Sequence, residues 1–397
     1  MLTINKYHKN SFFNNLSHQF FFILISLSLA SFNTNAQEPF KNPFFDNLEP
    51  GSYKGSFYME GSKVWGTSVI QHDDGKYYMF ASVWSDSTGK AQVTSQIAVA
   101  VSDKPEGPYE YIKIILPRRD KKYWDGRISH NPAIQKHEGT YYLFYTGNTY
   151  SFDWPKDIVG NRDPRFFEAW NNKRVGVATA KHPLGPWKRY DEPLLKTRPG
   201  HWDLGITSNA APIIHDDGSV TIFYKGTNLP MPERFERDED GNHILKNGLP
   251  RFIVGVARAD NVFGPYERLG EHDGMISIEG QFVSLEDPYA WYDGTYYHMV
   301  VKNFDQEFCD EKLAALYIRS KDAVHWKLPE DEPRAYSREV TWKEGMTTYQ
   351  PRLEKPSILF ENGKPAWFFL ATRFSDENNE LCQCESCVYN VVFKIKQ

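Results

Sequence analysis

Five segments of the chain repeat one pattern, in which an apolar run, a turn and a second run rich in aromatic residues follow one another. Asp-Gly, Glu-Gly or Asn-Gly stands in the gap each time, which is typical of a β-hairpin. The paired runs are 67–70 and 77–80, 131–134 and 141–144, 211–214 and 221–224, 287–290 and 296–299, and 355–358 and 367–370. The pattern therefore predicts five antiparallel hairpins.

A third strand follows most of these hairpins. Alternating runs at 97–102, 175–179 and 254–258 each lead into a Gly-Pro-aromatic turn, and 316–320 continues the fourth repeat. The C-terminal run 388–395 supplies the outer part of the fifth. Repeats of roughly 65–80 residues, each a small antiparallel sheet, predict an all-β, five-bladed β-propeller. Such a fold gathers the start of every innermost strand around one central funnel.

Composition and the chain ends limit the class of protein. The 397 residues suffice for one large domain, so we expect a signal peptide at 1–36 and a single catalytic propeller at 37–397. The apolar run 20–32 is too short to span a bilayer, which predicts an exported protein, periplasmic or secreted, without membrane insertion. A net charge of −5 argues against a nucleic-acid partner. An aromatic content of 15% suits a protein that stacks on sugars.

All four cysteines lie late in the chain, at Cys309, Cys382, Cys384 and Cys387. In an exported protein they favour disulfides, although their spacing also allows one structural zinc ion. In either case we expect them to join the last two blades rather than to carry chemistry.

The x-Pro-x-Ile strand starts, the Tyr-Tyr-Leu-Phe-Tyr strand and the Gly-Val-Ala…Gly-Pro-Trp turn together resemble the five-bladed β-propeller glycoside hydrolases of family 43 and their invertase-like relatives. The resemblance implies an oligosaccharide or polysaccharide substrate and allows calcium in the central channel, although the sequence requires no cofactor. It also implies three catalytic carboxylates at the inner strand starts of blades 1, 2 and 3. This chain has Gly66-Thr67, His130-Asn131 and Ala210-Ala211 at those places, so the three are replaced.

Acidic residues instead begin the fourth and fifth inner strands, as Glu286-Asp287 and Glu354. Glycoside hydrolysis usually needs two carboxyls, about 5 Å apart for retention and roughly 6.5–9.5 Å apart for inversion. Adjacent blades give about that spacing, which makes Asp287 and Glu354 a candidate pair. Asp125 and Asp203, each after a Trp and upstream of an inner strand, are further candidates. Structural hydrogen bonds and capped turns are the alternatives for these residues.

Cationic residues are expected at the same funnel, where they suit a carboxylated or sulfated sugar. The predicted substrate-binding residues are Trp65, Arg127, Asn131, Lys225, Lys302, Arg352, Lys355 and Arg373. Structural salt bridges to the acidic residues are the alternative. The same cations would also serve β-elimination beside a uronate carboxylate, with His130 and Tyr349 as acid and base.

Three functions follow from these observations. The first is a secreted glycoside hydrolase acting on oligosaccharides from an anionic polysaccharide. The second is a lyase or dehydratase that performs β-elimination on uronate-containing oligosaccharides, and the third is a carbohydrate-binding propeller without activity.

Overall fold

The structure is a computed structural model that describes residues 39–52, 56–85, 90–157, 159–160, 163–239, 243–304, 306, 308–373 and 388–397. The predicted signal peptide at 1–36 lies outside these residues. So do Cys382, Cys384 and Cys387. None of the described helices has the length and apolar character needed to cross a membrane.

Two four-stranded antiparallel sheets form the first two blades. Blade 1 consists of β1 (Ser62–Gln71), β2 (Tyr77–Ser85), β3 (Gln96–Ser102) and β4 (Glu110–Leu116), with the short helix α1 (Ala91–Thr94) before β3. Blade 2 consists of β5 (Ile128–His137), β6 (Thr140–Asn148), β7 (Arg174–Ala180) and β8 (Lys188–Arg189), with α2 (Pro164–Asn171) before β7. Helix α2 begins where the Asp163 side chain accepts a hydrogen bond from Arg165 N and Pro164 occupies the first turn.

The remaining sheets form three further blades. Blade 3 consists of β9 (Ile206–Ile214), β10 (Val220–Thr227), an inserted hairpin of β11 (Phe235–Arg237) and β12 (His243–Leu245), β13 (Ile253–Ala259) and β14 (Glu267–Arg268). Blade 4 consists of β15 (Ser277–Ile278), β16 (Leu285–Tyr292), β17 (Tyr297–Asn303), β18 (Ala315–Ser320), β19 (His325–Lys327) and β20 (Arg334–Tyr336). A hairpin of β21 (Glu339–Thr341) and β22 (Thr347–Tyr349) leads to blade 5, which consists of β23 (Arg352–Glu361), β24 (Lys364–Arg373) and β25 (Val388–Lys394). This arrangement confirms the predicted five-bladed β-propeller.

The N-terminal segment of the described chain closes the ring. A 3₁₀ turn at Phe45–Asn47 follows Phe44, whose ring packs against Phe368 of blade 5 and Tyr317 of blade 4. Leu48 and Phe57 then form isolated bridges to the last strand of blade 5. Both ends of the propeller are thereby held to the same sheet.

Each of the five inner strands contains a β-bulge near its start. Two inner-strand residues there face one residue of the second strand, and the first of the two has a positive φ. These first residues are Gly66 (φ 56°), Asn131 (50°), Asn209 (53°), Asp287 (54°) and Lys355 (55°). In three of the blades the second bulge residue is Pro, which lacks the N–H that a continuous ladder would need. We call these five residues the axial ring, because they surround the propeller axis in the funnel.

Candidate active site

The axial ring is joined by contacts between blades. Asn131 donates from Nδ2 to Oδ1 of Asn209 at 2.7 Å, and Asn209 donates from Nδ2 to Oδ1 of Asp287. Asn131, Asn209, Asp287 and Lys355 are all at least nine-tenths buried. Positive φ values cost energy for residues other than glycine, and such backbone is often kept where it positions functional groups. Because its members bond to one another between blades, the axial ring brings residues from distant parts of the sequence to one place.

Gly66 is the member of the ring without a side chain. A Cβ at this position would lie 2.9 Å from both Asn131 Oδ1 and Lys355 Cγ. Glycine is required here because its neighbours in the ring fill the space and because its φ is positive.

A chain of alternating charges lies beside the ring, across blades 3, 4 and 5. Lys225 Nζ lies 2.7 Å from Glu286 Oε1, and Lys302 Nζ lies 3.5 Å from Glu286 Oε2 while also contacting Glu354 Oε1. Both lysines are buried, whereas the side chains of Glu286 and Glu354 are 15% and 14% exposed. Each glutamate thus keeps an accessible edge although it is ion-paired.

The adjacent carboxyls of Glu286 and Asp287 differ in acidity. Burial and the negative charge of Glu286 raise the pKa of Asp287 to about 6. Burial also disfavours the ionised form of Glu286, but the charges of Lys225 and Lys302 outweigh it and hold the pKa of Glu286 below its usual range. Two neighbouring carboxyls with opposite pKa shifts are a common arrangement for acid–base chemistry.

His130 is buried next to the axial ring. Ser95 Oγ donates to the Ser129 carbonyl and lies 2.9 Å from His130 Nδ1. When the Ser95 hydroxyl donates to the Ser129 carbonyl it accepts from the histidine, and in that tautomer the proton lies on Nδ1 and the lone pair on Nε2. Burial and the nearby charges of Lys173 and Lys225 lower the pKa of His130, so its neutral form is favoured.

Lys173, between α2 and β7, also belongs to this group. It is 3% exposed, and its Nζ lies 3.5 Å from the ring centroid of Trp170. Burial and the charge of Lys225 lower the pKa of Lys173, while Glu286 and Asp287 oppose that shift. This side chain adds a fourth buried lysine to Lys225, Lys302 and Lys355.

Basic residues also line the edge of the funnel where blades 5 and 1 meet. Arg352 and Arg373 are exposed and face each other across β23 and β24. Burial and the charges of Arg352, Lys63 and Arg373 lower the pKa of Lys90. We call these four residues the rim cluster. The structure thus brings the predicted Arg352 and Arg373 together, although on the exposed edge rather than in the buried centre.

Asp125 and Asp203 occupy equivalent buried positions in blades 2 and 3. Asp125 accepts from Arg119 Nε (2.8 Å), Arg189 Nη1 (2.9 Å) and Tyr145 OH (2.6 Å). Asp203 accepts from Arg198 Nε (3.0 Å), Arg268 Nη2 (3.0 Å) and Tyr224 OH (2.8 Å). Both carboxylates are fully buried in these contacts. These contacts are those of a structural carboxylate, and the catalytic role of Asp125 and Asp203 stays a prediction.

The other predicted residues lie around the funnel. Trp65 precedes Gly66 and is half-buried. Arg127 is half-buried, donates to the Phe152 carbonyl at 3.2 Å and lies 5.2 Å from the Tyr150 ring centroid. Tyr349, on β22, is 39% exposed and bonds through its hydroxyl to Arg338. Their proposed roles in stacking, binding and proton transfer remain predictions.

The axial ring does not fit the calcium ion that the family resemblance allows. Calcium takes about six to eight oxygen ligands. Asn131 Oδ1 is a buried acceptor without a partner among the described residues, but the ring also holds the basic side chain of Lys355, whose strongest charge interaction is attraction to Asp287. A single unpartnered oxygen beside an ammonium group is a poor calcium site.

Zinc or disulfides at the cysteines stay predictions; Cys309 is buried, with Sγ 3.3 Å from the Glu311 carbonyl.

At the opposite end of the propeller, possible metal ligands meet between blades 1 and 2. The ligand atoms of His72, Asp74 and His182 lie within 4.8 Å of one another. His182 Nδ1 accepts a hydrogen bond from Leu184 N at 3.0 Å, so the neutral ring carries its proton on Nε2. This donor set therefore does not fit a metal ion well.

Comparison with known proteins gives the fold a family context. A family 117 glycoside hydrolase from Zobellia galactanivorans superposes with a TM-score of 0.56 and 16% identity, covering 89% of this chain and 91% of that chain. A family 43 enzyme from Xanthomonas citri, solved with xylose, superposes with a TM-score of 0.51 and 13% identity, covering 87% and 89%. The chain has the fold of these glycoside hydrolases. The resemblance predicted from the strand motifs is thereby confirmed at the level of the fold.

The sequence itself is more distant from known proteins. No family model matches the chain. An extracellular endo-α-(1→5)-L-arabinanase from Thermotoga petrophila is 34% identical over 85 residues, which are 21% of this chain and 17% of that protein. The match therefore spans less than a fifth of the relative's length.

Sequence reasoning missed Lys173 and Asn209. Lys173 stands immediately before the third strand of blade 2, whereas the predicted cations lie at the ends of second strands and at the starts of inner strands. Asn209 lies three residues before Pro212, whereas the ring residues of blades 2, 4 and 5 directly precede a proline. The position of a proline therefore did not indicate Asn209.

Proposed function

We propose that the protein is a glycoside hydrolase acting on oligosaccharides from an anionic polysaccharide, one that bears uronate or sulfate groups. One observation carries the proposal: three carboxyls from neighbouring blades, Glu286, Asp287 and Glu354, meet in the funnel of a glycoside hydrolase fold. Their unequal environments supply the two protonation states that hydrolysis needs.

In the proposed reaction, protonated Asp287 gives its proton to the leaving glycosidic oxygen. Glu354, ion-paired with Lys302, assists on the other side of the sugar, either by activating water or by bonding to the anomeric carbon. Glu286 stays ionised beside Asp287, and its negative charge favours the return of the proton to Asp287. The positive charges of the lysines reduce the electrostatic repulsion among the three carboxyls.

The anionic substrate is supported by charge. The chain carries a net charge of −5, yet four lysines are buried in the funnel and the rim cluster lies on its edge. Like charges directly opposite each other, as with Arg352 and Arg373, are unfavourable unless an anion lies between or above them. Carboxylate and sulfate groups would form charge-assisted hydrogen bonds with such residues.

β-Elimination is the second candidate, and His130 favours it. Its neutral ring has a free lone pair on Nε2 in the inferred tautomer, and Lys173, Lys225 and Lys355 influence it electrostatically. Such a base beside cations could remove the proton next to a uronate carboxylate and stabilise the resulting anion.

One assay separates these functions. The protein is incubated with oligosaccharides from pectin, alginate and sulfated galactan, and both reducing ends and the ultraviolet absorbance of a new C=C–COO⁻ group are followed. We expect reducing ends without absorbance, lost in Asp287→Asn and Glu354→Gln and kept in the exposed control Asp216→Asn. Absorbance that depends on His130 would establish elimination instead. Binding without either signal would indicate a carbohydrate-binding propeller and contradict both enzymatic proposals.

We also propose export. The first 36 residues have the pattern of a signal peptide, and the arabinanase that matches part of the chain is described as extracellular. N-terminal sequencing of protein recovered outside the cytoplasm should find a chain that begins near Gln37. A chain that keeps Met1 and stays in the cytoplasm would contradict this.

A further inference from the structure

Lys173 differs from the other buried lysines of the funnel in its charge environment. Lys225 and Lys302 contact glutamates, and the strongest charge interaction of Lys355 is attraction to Asp287. For Lys173 the strongest is repulsion by Lys225. Among the described residues, no hydrogen-bond or ion-pair partner contacts Lys173 Nζ. A buried amine that has an aromatic face beside it but no hydrogen-bond acceptor is costly, which suggests that a ligand supplies the acceptor.

The surroundings of Lys173 suit a sugar that carries a charge. Its Nζ lies 3.5 Å from the ring centroid of Trp170, and Lys225 Nζ lies 5.6 Å from the same centroid and 4.5 Å from that of Phe252. Trp170 and Phe252 are themselves stacked, with ring centroids 6.2 Å apart. Two amines therefore lie against one aromatic pair, and together they offer donors to a single anionic group.

With Lys173 in its ammonium form, the charges of the funnel leave a positive surplus. Its four lysines, Lys173, Lys225, Lys302 and Lys355, face three carboxyls, one of which, Asp287, is readily protonated. His130 is favoured in its neutral form. One bound anion would balance the group, and a neutral sugar would not.

We propose that Lys173, with Lys225 beside it, is the specificity residue that receives the anionic substituent of the sugar, a carboxylate or a sulfate. This inference rests on the proposed function and adds to it the position at which the charged group of the substrate would bind. Burial and the charge of Lys225 lower the pKa of Lys173 in the free protein. An anion favours the ammonium, so binding should take up a proton from solution.

Calorimetry tests the proposal directly. Glucuronate, galacturonate and galactose 6-sulfate are titrated into the full chain, with glucose and galactose as neutral counterparts. Each titration is run in two buffers of different ionisation enthalpy. We expect an anionic sugar to bind about 10- to 100-fold more tightly than its neutral counterpart, with net proton uptake. The uronates and the sulfated sugar are titrated separately, so the sugar that binds shows whether the substituent is a carboxylate or a sulfate.

Two variants complete the test. Lys173→Met should lose both the preference for anionic sugars and the proton uptake, whereas Lys188→Met, an exposed lysine of the same blade, should keep both. Thermal unfolding checks that Lys173→Met is folded. Equal binding of charged and neutral sugars by the natural protein, or an unchanged preference in Lys173→Met, would overturn the proposal.

The result is separable from that of the hydrolysis assay. Binding of anionic sugars that depends on Lys173, without cleavage, would support the subsite and contradict hydrolysis. Cleavage that is equally fast in Lys173→Met would support hydrolysis and contradict the subsite.

Discussion

Lys225 Nζ lies 2.7 Å from Glu286 Oε1, and this contact joins the second strand of blade 3 to the inner strand of blade 4. Both residues are largely buried, so each depends on the other to offset its loss of hydration. The contact also holds an ionised carboxylate beside Asp287, and that charge contributes to the raised pKa of Asp287. One ion pair thus contributes to both the stability and the acidity of the funnel.

Removing one partner should therefore be more harmful than removing both. We expect Lys225→Met to lower the free energy of unfolding by about 1–3 kcal/mol, because among the described residues Glu286 keeps only Lys302 as an ion-pair partner. The double variant Lys225→Met/Glu286→Gln should recover part of that loss in urea unfolding.

The exposed pair of Lys76 and Asp103, 3.4 Å apart, is the control for this cycle. Lys76→Met should change stability by less than about 0.5 kcal/mol. Equal effects at Lys76 and Lys225, or strictly additive losses in the double variant, would show that the funnel pair is not coupled.

Stability should depend on pH through Asp287. Its folded-state pKa of about 6 exceeds the ordinary value of 3.8, so the folded chain retains a proton that the unfolded chain has lost. The stability that the retained proton contributes is fully present at pH values below the pKa of Asp287 in the unfolded chain. It is lost as the pH rises through the pKa of Asp287 in the folded chain. Asp287→Asn stays neutral, so it should be about 1–3 kcal/mol more stable than the natural protein at neutral pH, with a much smaller difference in acid.

Urea unfolding across the acid-to-neutral range measures this difference, with the exposed Asp216→Asn as control. A stability gain in Asp287→Asn that is constant with pH would mean that Asp287 titrates normally in the folded protein.

Crowding at the axial ring predicts a cost for any side chain at Gly66. Gly66→Ala places a Cβ 2.9 Å from Asn131 Oδ1 and Lys355 Cγ at a positive φ, and it should lower the free energy of unfolding by about 2–4 kcal/mol. Gly75→Ala shares the positive φ but has nothing within 4 Å of the new Cβ, so it should lose only about 1 kcal/mol. Similar losses at the two positions would argue against a closed ring.

The buried aspartates of blades 2 and 3 should affect stability rather than chemistry. Asp125→Ala leaves Arg119 and Arg189 without their shared carboxylate and should cost about 3–5 kcal/mol. Asp203→Ala should behave in the same way. Activity per folded molecule, measured below the unfolding transition of each variant, should be unchanged. A folded Asp203→Asn protein without activity would return that residue to the mechanism.

The strand pattern predicted much of the fold because hairpin pairing is local. The paired runs and their Gly turns correspond to the first two strands of each blade, and the 388–395 run forms β25 (Val388–Lys394) as expected. The prediction that inner strand starts converge also placed Asn131, Asp287, Glu354 and Lys355 in one funnel.

The details of the site depend on closure of the ring, so the strand pattern alone could not predict them. The ion pairing of Asp125 depends on Arg189, which lies 64 positions further along the chain. The contact between Lys173 and Trp170 depends on how α2 ends, and the need for glycine at residue 66 depends on the side chains of two other blades. Each of these is a contact in space that no local pattern encodes.

The most direct measurement of the central claim is a crystal structure of Asp287→Asn with a bound oligosaccharide from an anionic polysaccharide. We predict that a glycosidic oxygen lies within hydrogen-bond distance of residue 287, that Glu354 faces the same sugar, and that the anionic group contacts Lys173. A sugar bound outside the funnel, or one whose glycosidic bonds all lie far from blades 4 and 5, would contradict the account.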